Sequence, residues 1–133
     1  MATATNTERL IDVYRDAMVA LDAFEVQRAR YRGIHAGPSR IDLMRDAGGH
    51  ITITHLYTRP PARRRGCASV CLRAVTDFAD VVGWTISAYP LRVLGGLDEV
   101  RGCEFFGRFG FRQLRSTSPR SEPGDQAVLR LPS

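Results

Sequence analysis

The chain contains no lysine. Lysine and arginine together count 19, all of them arginine, against 14 acidic residues, for a net charge of +5. Arginine-only usage is what a GC-rich genome produces. Cysteine is scarce: there are three, an odd number without C-x-x-C spacing, which argues against a disulfide framework and against a zinc site. Cys67 and Cys71 stand four apart and read as small core residues on one helix face. Long apolar runs are missing. No segment approaches the length of a bilayer span, and the first residues lack the apolar stretch of a secretory signal, so a cytoplasmic protein without membrane contact is expected. Repeats, linkers and low-complexity blocks are absent too, and no Ser/His/Asp set or paired-carboxylate constellation is readable.

What remains is ordinary in amount. A length of 133 residues, 44% hydrophobic and 25% charged, fits a single domain spanning residues 1–133 around one modest core. The pI of about 9.7 suits a polyanionic ligand, whether a phosphate-bearing cofactor or nucleic acid, and charge does not separate the two.

Thr5-Asn6-Thr7-Glu8 reads as a capping box, and Leu10, Tyr14, Met18 and Leu21 recur at helical spacing. This helix is expected to run to about Arg30 with a break near Asp22. Gly33 to Ser39, containing Gly37-Pro38, reads as a loop. Ile41–Arg45 and Ile51–Thr58 read as strands joined through Ala47-Gly48-Gly49 into an antiparallel hairpin. From Cys67 to Val82 a helix is expected. Its inward stripe is Val70, Cys71, Ala74, Val75, Phe78 and Val82, with Arg73, Thr76, Asp77 and Asp80 outside and Gly83 as the stop. Trp84–Tyr89 is the next strand, and a helical crossover makes it parallel to Ile51–Thr58. A second helix over Leu97–Arg108 turns Val100, Cys103 and Phe106 inward. Phe111–Ser116 and Ala127–Leu131 are the final strands, with a surface loop at Ser116–Gly124. The fold class is therefore α/β, a mixed sheet with helices on both faces.

Between the strand Ile51–Thr58 and the helix that follows lies Arg63-Arg64-Arg65-Gly66-Cys67-Ala68. Strand, basic Gly-containing turn and helix together build an anion site. Open backbone N–H groups and the helix dipole favour negative charge at the helix start, Gly66 lets the backbone approach, and arginines offer forked donors to phosphate. A solvated basic loop is the bland alternative. The longer segment Leu56-Tyr57-Thr58-Arg59-Pro60-Pro61-Ala62-Arg63-Arg64-Arg65-Gly66-Cys67-Ala68 resembles the acetyl-CoA-binding signature of the GNAT acyl-CoA N-acyltransferase superfamily. There a strand ends in a Pro-containing loop followed by Arg/Gln-x-x-Gly-x-Gly/Ala and a helix. Phe105-Phe106-Gly107-Arg108-Phe109-Gly110-Phe111 is similar to the family's second landmark, an aromatic pair on a helix that ends in Gly-Phe. The resemblance covers Ile51 to Leu114.

The resemblance implies a GNAT-like sheet in which the parallel strand pair splays apart to hold the pantetheine arm of acetyl-CoA. It implies Arg63, Arg64, Arg65, Gly66 and Ala68 around the diphosphate, with backbone N–H groups from Cys67 and Ser69. Main-chain bonds from Leu56 and Thr58, on either side of Tyr57, would meet the pantetheine. Phe106 occupies the position near the CoA sulfur where many members carry a tyrosine acid, so that acid is missing. Tyr89 is the substitute by position, or else a partly buried aromatic. His55, of a residue type suited to base catalysis, is the candidate base, or else a structural strand histidine. Asp98 and Glu99 would attract a cationic amine or simply cap their helix. A typical member opens with a strand before its first helices, whereas this chain goes directly into helix, so a reduced acceptor-side lobe is expected. The implied activity is acetyl transfer from acetyl-CoA to a primary amine on a small molecule, protein or nucleic acid. With no lysine, no side-chain amine of the protein itself can be the acceptor. The alternative is a non-catalytic GNAT-like module holding nucleic acid or a protein partner through its arginine-rich surface. A homodimer is compatible with both.

Overall fold

The computed structural model describes residues 6–46, 48–58, 66–90, 93, 99–113 and 127–133. In chain order the elements are α1 (Asn6–Gln27), β1 (Tyr31–Ala36), β2 (Ser39–Arg45), β3 (His50–Thr58), α2 (Cys67–Val82), β4 (Thr85–Ala88), α3 (Glu99–Gly107), β5 (Arg112–Gln113) and β6 (Val128–Arg130). The strands form one six-stranded mixed sheet in the order β1-β2-β3-β4-β6-β5. Only β3 and β4 are parallel among the described pairs, joined by α2 as the crossover argument requires.

The α1 helix is one unbroken run of 22 residues, not a helix interrupted at Asp22 and extended to Arg30. Leu21 and Phe24 both lie on its buried stripe, with Val13 and Ala17, so packing carries the helix past Asp22. It ends where Arg28 adopts a left-handed φ of 52°. The expected loop at Gly33–Ser39 is instead largely strand. β1 pairs with β2 from Tyr31↔Met44 to Ala36↔Ser39, leaving only Gly37 and Pro38 as the turn.

The α2 helix has the bounds its periodicity predicts and closes through Gly83 N–H to the Ala79 carbonyl at 2.7 Å. Its inner face differs in two places. Val82 is exposed, and Thr76, assigned to the outside, is buried with its hydroxyl bonded to the Arg73 carbonyl at 3.0 Å. That local bond satisfies the hydroxyl, so burial costs little. β4 stops at Ala88, one residue short of Tyr89. Of the final strands, Arg112–Gln113 and Val128–Arg130 are paired, and the expected continuation to Ser116 lies outside the described residues.

Helices α1 and α2 pack on each other and on one face of the sheet. The Tyr14 hydroxyl donates to Asp77 at 2.8 Å, tying the two together. Glu25 fastens the end of α1 to the sheet, accepting from Arg45 at 3.2 Å and from the Trp84 indole at 2.8 Å. Burial pushes the Glu25 carboxyl up, but bonds from Arg45, Trp84 and Arg28 outweigh it, leaving a net downward shift. The core beneath is continuous from Phe24 and Leu21 through Ile41, Leu43, Ile51, Ile53 and Ile86 to Val128. Among the described residues no helix is long and apolar enough to cross a membrane.

Candidate functional site

Pairing between β3 and β4 runs from His50↔Thr85 to Ile53↔Ala88 and stops there. On its other side β3 stays paired with β2 to Ser39↔Thr58, so residues 54–58 continue as strand after β4 has left. A β-bulge lies at the same point, where the β2 register shifts between Asp42 and Leu43. Beyond Ile53 and Ala88 the two strands no longer pair with each other, and the β4-side edge of β3 is a candidate slot wall, the kind of edge an amide-bearing chain can pair with.

The chain enters α2 beyond this slot. Gly66, the N-cap, has φ 85° and ψ 3°, and among the described residues no side chain caps the helix. Among the described residues a Cβ here would meet only Leu10 methyls at 3.8 and 3.9 Å, ordinary contact, and the left-handed backbone itself favours glycine. No acidic residue stands in the first turn. The N–H groups of that turn, from Cys67, Ala68 and Ser69, are therefore suited to an anion. Arg63, Arg64 and Arg65 lie outside the described residues.

No family model matches the chain, and no curated protein matches it in sequence. Solved structures match it in shape. The anti-CRISPR protein AcrVA5 superposes with a TM-score of 0.56 at 19% identity, covering 75% of this chain and 98% of its own. An acetyltransferase of the GNAT family from Staphylococcus aureus gives 0.51 at 13% identity over 98% and 95% of the two chains. An acetyltransferase from Bacillus subtilis in complex with CoA gives 0.50 at 13% identity over 96% and 92%. The chain has the GNAT fold. At these identities the likeness is one of architecture, and the parallel pair that parts beyond Ile53 and Ala88 is the feature expected of that architecture.

Within the GNAT frame the expected site residues fall into three groups. Leu56, Tyr57 and Thr58 lie on the stretch of β3 beyond its last pair with β4, and Gly66, Cys67, Ala68 and Ser69 form the start of α2. Tyr89 follows directly on the last paired residue of β4, partly buried, its carbonyl accepting from Val93 N–H at 3.0 Å. Phe106 lies on α3. It has 0% exposure, stacked edge-on against Phe105 and Phe111 at 5.5 and 5.1 Å, and is a core residue in this structure. Asp98 and the side chain of Glu99 lie outside the described residues. The Cys71 thiol offers no nucleophile at the core of α2: burial, only partly offset by a bond with Ser39, pushes it up to about 12.

His55 lies on the face turned away from α1 and α2, with a side chain 67% exposed. Its Nδ1 is 3.6 Å from the Asp42 carboxylate, directly opposite on β2. Sequence reasoning did not single out Asp42. Its partnership with His55 depends on strand register, which no local motif announces.

Proposed function

We propose that the chain is an acyl-CoA N-acyltransferase that moves an acetyl group from acetyl-CoA to a primary amine. One observation carries this reading: β3 runs on past its last pair with β4 toward an α2 helix that opens at a left-handed glycine. The neighbour from Bacillus subtilis, in complex with CoA, supports it on the level of fold.

In this reading the diphosphate meets the N–H groups of Cys67, Ala68 and Ser69, with charge from Arg63, Arg64 and Arg65. The pantetheine amides bond the main chain of Leu56 and Thr58. The amine gives a proton to His55 and attacks the thioester carbonyl. The C–N bond forms, the C–S bond breaks, and Tyr89 protonates the departing thiolate. Calorimetric titration with acetyl-CoA tests the reading most directly. Saturable binding is expected, and no binding at millimolar acetyl-CoA overturns it.

A second reading, a non-catalytic module that holds nucleic acid, is favoured by a different feature. Arg28, Arg30 and Arg45 line an open cavity of about 670 Å³ with Asp46, Gly48 and Gly49 at the β2–β3 turn. Duplex DNA binding with a steep salt slope and no CoA affinity would decide for it.

A further inference from the structure

Three residues, one from each of three adjacent strands, stand in a single cross-strand row: Gly33↔Asp42 and Asp42↔His55. Asp42 is only 5% exposed although it lies on the face away from the helices. It is enclosed by its partners. Arg40 Nε donates to Oδ1 at 2.6 Å, the Tyr31 hydroxyl donates to Oδ2 at 2.9 Å, and His55 Nδ1 stands 3.6 Å from the same Oδ2. The Arg40 and Tyr31 bonds fix the carboxylate in place and leave Oδ2 turned toward the imidazole. Gly33 is part of the same construction. A Cβ there would come within 2.8 Å of Asp42 Oδ1 and 2.9 Å of Arg40 Nε. A side chain at 33 would displace the pair.

Resting on the acyltransferase reading, we infer that Asp42 is the positioning residue for His55. It holds Nδ1–H toward the sheet and presents Nε2 to the acceptor amine on the open face. A carboxylate behind an imidazole selects the tautomer whose outer nitrogen can take a proton. The 3.6 Å separation is too long for a hydrogen bond and tightens once a proton arrives. The ammonium R–NH₃⁺ gives one proton to Nε2, and the resulting amine adds to the thioester carbon. As the C–S bond breaks, Tyr89 protonates the thiolate and the second nitrogen-bound proton restores the phenol, so the acetamide and CoA thiol form and the imidazolium releases its proton to solvent. Asp42 neither touches substrate nor changes protonation.

The test compares wild type, Asp42→Asn and His55→Gln, each first titrated with acetyl-CoA by calorimetry. CoA thiol release is then followed with polyamines, aminoglycosides and peptides with free N-termini, and the His55 ring is observed by long-range ¹H–¹⁵N NMR. Both variants should bind acetyl-CoA as wild type does and lose roughly 10²-fold or more in kcat with KM for acetyl-CoA unchanged. His55 should be the Nδ1–H tautomer in wild type and move toward Nε2–H in Asp42→Asn, a change that a purely structural carboxylate would not produce. Because His55 is exposed, His55→Gln should fold even if Asp42→Asn does not. Full turnover by His55→Gln, an Nε2–H tautomer in wild type, or CoA binding without turnover of any amine overturns the inference alone. Absence of acetyl-CoA binding in wild type overturns the acyltransferase reading and this inference with it.

Discussion

Asp80→Asn should destabilise the protein at neutral pH and progressively less so in acid. Arg130, on β6, is only 9% exposed and clamps Asp80 of α2 with two parallel bonds, Nη1 to Oδ1 at 2.7 Å and Nη2 to Oδ2 at 2.8 Å. Its Nε donates to the Phe109 carbonyl at 2.7 Å, and the Ser133 N–H adds a bond to Asp80 at 3.0 Å. The Arg130 bonds hold the Asp80 carboxyl at about 2, below its ordinary 3.8. A folded value below the unfolded one contributes stability above about 3.8 that is lost as pH falls through about 2. The difference corresponds to roughly 2 kcal/mol at neutral pH, of which about half is gone near pH 3. The asparagine variant also leaves a buried guanidinium with one carbonyl and a neutral amide, so the loss at pH 7 should reach about 3 kcal/mol, or ~10 °C in Tm. Urea denaturation of both proteins at about pH 7 and pH 3 reads this directly. Because β6 pairs with β4 at Ile86–Ala88, the clamp also steadies one wall of the slot. A pH 7 gap under about 0.5 kcal/mol, or an equal gap at both pH values, would refute the reasoning. Arg130→Met in the Asp80→Asn background should recover part of the loss, since it removes the stranded charge.

Gly66→Val should cost about 1–2 kcal/mol, because a β-branched residue is forced to positive φ, and should lower acetyl-CoA affinity at least tenfold by disturbing the first turn of α2, both measurable by denaturation and calorimetry. Normal binding would mean that the diphosphate is held elsewhere. Tyr89→Phe should reduce turnover roughly 10²-fold with little change in acetyl-CoA affinity, since an acid acting in the transition state adds little to ground-state binding. Full turnover in a thiol-release assay would remove Tyr89 as the acid. With its thiol pushed up to about 12, Cys71 should resist iodoacetamide near pH 8 until the protein unfolds, and mass spectrometry showing rapid native labelling would contradict that.

The parts of the fold that were legible in the sequence are those whose signal is local. The α2 helix carries its stripe, its glycine start and its glycine stop within one short segment, and its bounds follow. The hairpin of β2 and β3 is announced by its glycine turn, and the parallel β3–β4 pair by the helix between them. β1 was illegible for a physical reason. Gly33 and Gly37-Pro38 look like loop residues, yet Gly33 is strand, small because Asp42 and Arg40 occupy the space a side chain would need. The start of the candidate site, Gly66 to Ser69, was readable for the same local reasons as α2. Asp42 was not, since its role depends on Arg40, Tyr31 and His55 arriving from three strands.

The position of His55 follows from the bulge. Up to Ile53 the odd-numbered residues of β3 face the core: Ile51 and Ile53 are buried, while His50 and Thr52 point the other way, where both bond Ser87. Past the bulge the parity reverses. Leu56 is buried opposite Ile41, and His55 and Tyr57 face outward opposite Asp42 and Arg40. Uninterrupted alternation would have sent His55 into the core and Leu56 to solvent, since a one-residue shift exchanges the two faces of a strand. The inserted residue, Thr54, absorbs that shift and bonds the Asp42 carbonyl at 3.4 Å. The written sequence carries the signal, Ile-Thr-Ile-Thr-His-Leu-Tyr-Thr, in which the apolar spacing changes from two to three between Ile53 and Leu56. The same irregularity coincides with the point where β4 departs. One inserted residue thus turns a histidine to the outer face at the point where β3 and β4 cease to pair.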